Sequence, residues 1–153
     1  MRMPKTTVPL LAAFVVVLFA GLAVALLTGS ALAGDQWLVV NPSDLRWTPC
    51  GDAPLWDVCG RVALRGDRAK EASDHFMQFP KGFAFPRHWH DHPENIVVIS
   101  GSVVISHDDG GEDVISPGGY LRIPAKVAHW GKCPDGCVFY LGLVGADSYY
   151  EGK

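Results

Sequence analysis

From Trp37 onward the chain alternates short apolar runs with turn-forming residues. The runs are rich in Val, Ile, Phe, Tyr and Trp, and Gly, Pro, Asn or Asp closes each one. That rhythm predicts strands rather than helices. The predicted strands are Trp37–Val40, Leu55–Leu64, His75–Phe79, Phe83–His90, Asn95–Ser100, Ser102–His107, Asp113–Ser116, Tyr120–Ile123, Val127–Trp130 and Val138–Val144. Ser100-Gly101 between two Val/Ile runs marks a tight hairpin, and Asp108-Asp109-Gly110-Gly111 marks a second turn. Arg65–Ser73 is polar and reads as a loop. The fold class is all-β, a barrel or sandwich of short strands.

The first 33 residues follow a different pattern. Arg2 and Lys5 precede an uncharged apolar run from about Val8 to Leu27, and Ala31-Leu32-Ala33 follows it. Basic start, apolar centre and small-x-small site describe a secretory signal peptide cleaved near Ala33. The run also approaches the ~18 residues that can span a bilayer, so an uncleaved N-terminal membrane anchor is the alternative. Either way residues 34–153 form one domain outside the cytoplasm, secreted or periplasmic, after an apolar leader helix.

Charge narrows the choice of partners. The 153-residue chain carries a formal charge of −3. Loss of the leader removes two basic residues and no acids, which makes the mature chain more acidic. No basic patch interrupts it, so nucleic acid is an unsuitable partner. Four cysteines stand at 50, 59, 133 and 137. In an oxidising compartment they imply disulfides. Cys50 with Cys59 and Cys133 with Cys137 is the favoured pairing, because each pair brackets a short segment containing Gly and Pro. Neither spacing is the C-x-x-C of structural zinc.

The chemistry is concentrated between Gly82 and Gly101. His88 and His90 share one face of a predicted strand with Trp89 opposite. Glu94 follows just beyond Pro93, and His129 lies on a later strand. Two buried imidazoles and a carboxylate without an ion would leave polar groups unpaired, at about 1–3 kcal/mol each. These residue types suit a divalent transition metal (Fe, Mn, Ni, Cu or Zn). Histidine must be neutral to bind it, so affinity is expected to fall as pH drops below about 6.5. Tyr120 and Arg122 share a face shortly before His129, and Tyr120 is the candidate catalytic group. His92 reads as solvent-facing or adjacent to the site, His107 as a surface residue, and His75 is unassigned. Phe76, Phe83, Phe85, Trp89, Phe139 and Tyr140 are expected in the core or lining a pocket.

The spacing resembles the cupin superfamily. Its first motif, G-x5-H-x-H-x3/4-E-x6-G, is met by Gly82, His88, His90, Glu94 and Gly101 across 82–101. Its second, G-x5-P-x-G-x2-H-x3-N, is met across 118–133 by Gly118, Pro124 and His129. Lys126 replaces the inner Gly and Cys133 the Asn. The resemblance implies a single antiparallel β-barrel of jelly-roll type. It also implies His88, His90, Glu94 and His129 as metal ligands. Cupins commonly dimerise, and the resemblance permits a homodimer through the N-terminal strands.

Fold does not fix function. Three readings follow, all with a small molecule as the partner and with no organic cofactor. The favoured one is a metal-dependent enzyme with dioxygenase-like chemistry. The others are a metal-dependent lyase or isomerase, and a non-enzymatic protein that binds a metal or small ligand. Contact with a membrane is expected only if the leader stays attached.

Overall fold

The computed structural model describes residues 37–51 and 56–152. The apolar leader and its expected helix lie outside these residues. Among the described residues a short 3₁₀ turn, Pro42–Asp44, precedes eleven strands. They are β1 (Thr48–Pro49), β2 (Gly60–Arg65), β3 (Ser73–Phe79), β4 (Phe83–Trp89), β5 (Glu94–Gly101), β6 (Val103–His107), β7 (Glu112–Ile115), β8 (Tyr120–Ile123), β9 (His129–Cys133), β10 (Cys137–Leu143) and β11 (Tyr150–Glu151).

The strands form two antiparallel sheets. One has the order β1-β2-β3-β10-β5-β8 and the other β11-β4-β9-β6-β7. This corrects the expected closed barrel. No strand of one sheet pairs with a strand of the other among the described residues, so the hydrogen-bond ladder is interrupted at both sides. The two inner faces share one core. Met77, Phe79, Ile96, Val98, Phe139 and Leu141 come from the first sheet, and Phe83, Val103 and Ile105 from the second. Phe79 and Phe83 meet across the two sheets with ring centroids 4.7 Å apart.

Several strands differ from those read in the sequence: β9 runs His129–Cys133 rather than Val127–Trp130, and β1 and β11 were not expected. Trp37–Val40 is apolar but forms no strand, and Trp37 is 98% exposed. Composition suited it to a strand, but no described neighbour pairs with it. The expected Leu55–Leu64 strand begins only at Gly60, because Trp56–Val58 turn and the Cys50–Cys59 disulfide holds the corner. The second disulfide joins Cys133 to Cys137 across the β9–β10 turn. Both pairings are the favoured ones.

Both glycines of the first motif have positive φ, but only one is also confined by a neighbour. At Gly101 (φ +71°) an added Cβ would lie 1.9 Å from the Gly136 carbonyl oxygen. At Gly82 (φ +78°) it would meet nothing within 4 Å. Gly101→Ala is therefore expected to cost about 2–4 kcal/mol, from strain plus backbone overlap. Gly82→Ala should cost about 1–2 kcal/mol, from conformation alone. Denaturant midpoints of the two variants, compared at equal slope, check the difference.

Candidate metal centre

A break in β4 builds the site. Phe83 and Phe85 pair with Cys133 and Gly131 on β9, and the register then slips at Pro86–Arg87 so that His88 faces His129 directly. Pro86 has no N–H for the ladder, which suits a bulge there. The extra residue reverses the alternation. Phe83 and Phe85 point into the core at odd positions, while His88 and His90 point in at even ones. Uninterrupted pairing would have put the two phenylalanines and the two histidines on opposite faces.

Three imidazoles converge as a result. His88 and His129 have ring centroids 4.2 Å apart, and His88 and His90 4.9 Å. One ligand atom from each of His88, His90 and His129 lies within 4.8 Å of the others, and all three residues are buried. Each Nδ1 is engaged by a backbone carbonyl: His88 with Pro86 O at 2.7 Å, His129 with Val127 O at 3.0 Å, and His90 with Ser148 O. A carbonyl only accepts, so each Nδ1 carries the proton and each Nε2 keeps its lone pair. That is the tautomer a metal requires, fixed by partners behind the rings. His90 Nε2 is buried with no hydrogen-bond partner in the protein.

Glu94 opens β5 and closes the group from the opposite sheet. Its Oε1 is 3.4 Å from His90 Nε2, and its Oε2 is 3.8 Å from His129 Nε2. Both separations are long for hydrogen bonds and leave space between the heads. Three lone pairs and a buried carboxyl around one point fit a divalent transition ion, and the orphaned Nε2 of His90 is the sign of it.

Electrostatics agree with that reading. Burial pushes His88 down to about 3, and its neighbours His129 and His90 lower it further. Burial also lowers His90 and His129. Burial raises Glu94 to about 7, against a smaller opposing effect of His129. The metal-free histidines are therefore neutral at physiological pH. The proton an ion must displace is that of Glu94.

The two motifs are tied through Lys126. Its N–H donates to the His90 carbonyl at 2.7 Å, and its φ is +62°. The turn thus keeps a glycine-like conformation although lysine occupies the position. Lys126→Gly should stabilise the protein by about 1 kcal/mol by removing that strain, read as a rise in thermal midpoint with unchanged metal content.

A small cavity of about 90 Å³ adjoins the cluster, walled by Met77, Phe79, Phe85, Ile96, Ile105 and Phe139 among others. Tyr149 also lines it, a residue that reading the sequence missed. Its ring stacks on His88 at 4.7 Å and meets Trp56 edge-on at 5.6 Å. Its hydroxyl is buried and has no partner, and burial raises its pKa to about 12. The only available signal was the Ser148-Tyr149-Tyr150 run after the last predicted strand. Ser148 belongs to the same segment, holding His90 through its carbonyl and Asp91 N–H through its hydroxyl.

Tyr120 is not brought to the site. It is 61% exposed on the outer face of β8, and its hydroxyl donates to Asn95 at 2.7 Å, where Arg122 also binds. Its alternation places Leu121 and Ile123 inward instead. Trp89 stacks on Tyr150 outside the core, and Phe76 and Tyr140 are only partly buried, with the Tyr140 hydroxyl on Asp74. His92 is exposed. His107 is held between Asp109 and Asp113 near the surface. His75 is buried, with Nε2 2.9 Å from Ser73 Oγ.

The Cupin domain family matches residues 75–140, which contain all four motif side chains. These residues form a cupin domain. No curated protein matches it. Among solved structures, this cupin resembles the polyketide cyclase RemF from Streptomyces resistomycificus, at 18% identity and TM-score 0.64, over 77% of this chain and 87% of that one. An RmlC-like cupin from Shewanella frigidimarina matches at 20% identity and TM-score 0.57, over 70% and 88%. The DMSP lyase DddQ from Ruegeria pomeroyi matches at 14% identity and TM-score 0.58, over 74% and 70%. At these identities the likeness is one of fold.

Proposed function

We propose that this cupin is an exported metal-dependent enzyme that moves a proton on a small substrate, as a lyase or isomerase does. The observation that carries the reading is the convergence of three imidazole lone pairs and Glu94 at the end of an apolar cavity. His88, His90, His129 and Glu94 would hold a divalent transition ion. Such an ion, when bound, supplies Lewis-acid polarisation of a substrate oxygen. Tyr149 supports the choice of reaction class. Its hydroxyl keeps its proton at neutral pH, has no acceptor in the protein, and lies against a ligand ring. It can hold or donate that proton to a substrate oxygen. The apolar walls exclude water from the exchange. The two disulfides fit an oxidising compartment outside the cytoplasm. The apolar leader with Ala31-Leu32-Ala33 supports export to it.

The donor set itself favours a second reading. Three histidines and one glutamate leave ion positions open for a bidentate substrate and dioxygen, as an oxygenase needs. Assays of small oxo- and hydroxycarboxylates with and without oxygen separate the two. Turnover that persists anaerobically, and that falls about 10²-fold in Tyr149→Phe at unchanged metal content, supports the proton-moving reading. Turnover that ceases without oxygen overturns it.

A further inference from the structure

A second cavity opens beside the metal cluster. It measures about 440 Å³ and is lined by Cys50, Trp56, Arg61, Arg68, Met77, Asp147 and Tyr149, with Ala69. Trp56, Arg68, Met77 and Tyr149 also wall the inner cavity, so the two chambers share one partition. The inner chamber is mostly apolar, its polar lining being the ligand heads, Arg68 and the Tyr149 hydroxyl. The outer one contains two guanidinium groups.

The charges of the outer chamber do not balance. Arg68 is paired with Asp147. Arg61 stands opposite Met77 in the β2–β3 register, on the side that faces the chamber. Its Nε is buried with no hydrogen-bond partner, and it forms no ion pair among the described residues. Burial and the nearby Arg68 charge lower its pKa, against a smaller opposing pull from Asp147. His75, close to both arginines, is pushed down to about 4 by burial and by their charges, so it adds no charge at neutral pH. Two cations and one carboxylate leave one positive charge unanswered in a half-enclosed space. A buried guanidinium donor without an acceptor is costly, and a planar oxyanion is the ligand that fits its fork.

We infer that the outer chamber binds the carboxylate of a small organic acid through Arg61, with Arg68 beside it, while the acid's apolar body passes Trp56 and Tyr149 into the inner chamber. This assignment of the substrate class rests on reading the inner chamber as the reaction site. The carboxylate answers the free charge, and the shared partition orients the molecule so that its far end faces the ligand cluster. Inorganic phosphate would suit the charge but has no body for the apolar chamber.

The test uses the metal-loaded protein and three probes: butanoate, the neutral isostere butanamide, and inorganic phosphate. Affinities are measured by titration calorimetry for wild type, Arg61→Gln and Arg61→Lys, with metal content determined on each sample. The expected result is butanoate at least about tenfold tighter than butanamide and phosphate in wild type. That preference is lost in Arg61→Gln, partly retained in Arg61→Lys, and unaccompanied by loss of metal. Equal binding of butanoate and butanamide overturns the inference. So does a butanoate preference that survives Arg61→Gln, which would place the carboxylate on the ion. Phosphate binding tighter than butanoate overturns the carboxylate class. An Arg61-dependent butanoate preference in a protein whose turnover ceases without oxygen would sustain the anion site while removing the proton-moving reading, so the two can fail separately.

Discussion

His88→Ala combined with His129→Ala is expected to abolish metal retention. Wild-type protein should keep about one equivalent of a divalent transition ion through dialysis, and the double variant essentially none. These two rings face each other directly across β4 and β9, so their loss removes two of three nitrogen donors at once. The cavity left behind is lined by His90 and Glu94 alone, too few donors to compete with water. Turnover should fall at least about 10³-fold with it, since both ion and orientation are gone. Elemental analysis alongside circular dichroism separates metal loss from unfolding. Full biological activity in a folded, metal-free double variant would instead support the non-enzymatic binding reading.

Glu94 should govern how metal affinity depends on pH. The sequence alone suggested that the histidines would do so, with affinity falling below about 6.5. Burial changes that expectation. His88 is held at about 3 and the other two imidazoles are also lowered, so protons do not compete for them near neutrality. Glu94 is raised to about 7 and carries a proton below that pH in the metal-free protein. An ion binds the carboxylate, so affinity should fall by up to about tenfold for each pH unit below 7 and level off above it. Glu94→Gln should bind more weakly at pH 8 and lose the dependence that wild type shows around pH 7. Competition with a chelator of known affinity measures this at each pH. A wild-type profile that stays flat to pH 6 and breaks only where the imidazoles titrate would contradict the assignment.

The parts of this site that were legible in the sequence are those where chemistry and spacing coincide on one strand. His88 and His90 are two residues apart, Glu94 starts the next strand, and His129 lies in a second recognisable motif. Their residue types are distinctive and their separations short. The bulge at Pro86–Arg87 was not legible as a change of parity, because it depends on pairing with β9. Phe85 and Trp89 were both expected in the core or lining a pocket, yet only Phe85 packs there, and Trp89 stacks on Tyr150 outside it. Tyr149 was missed for a related reason. It reaches His88 only because the segment after β10 folds back to pair as β11 with β4, a long-range event. Tyr120 was chosen on proximity to His129 in sequence, yet β8 pairs with β5 and turns that ring outward. Strand alternation was read well, but which sheet each strand joins was not, and a closed barrel was expected where two sheets occur.

The cysteines show the opposite case. Their pairing could be read locally, because each disulfide closes a short loop. Its consequence could not. The Cys50–Cys59 bridge anchors the corner from which Trp56 reaches over Phe79, Phe83 and Tyr149 to partition the two chambers.

The most direct test of the account is a crystal of the metal-loaded protein measured on both sides of the absorption edge of its ion. A single anomalous peak is expected within bonding distance of Nε2 of His88, His90 and His129 and of a Glu94 carboxylate oxygen. A metal-loaded crystal with no peak there, or with its peak elsewhere on the molecule, would contradict it.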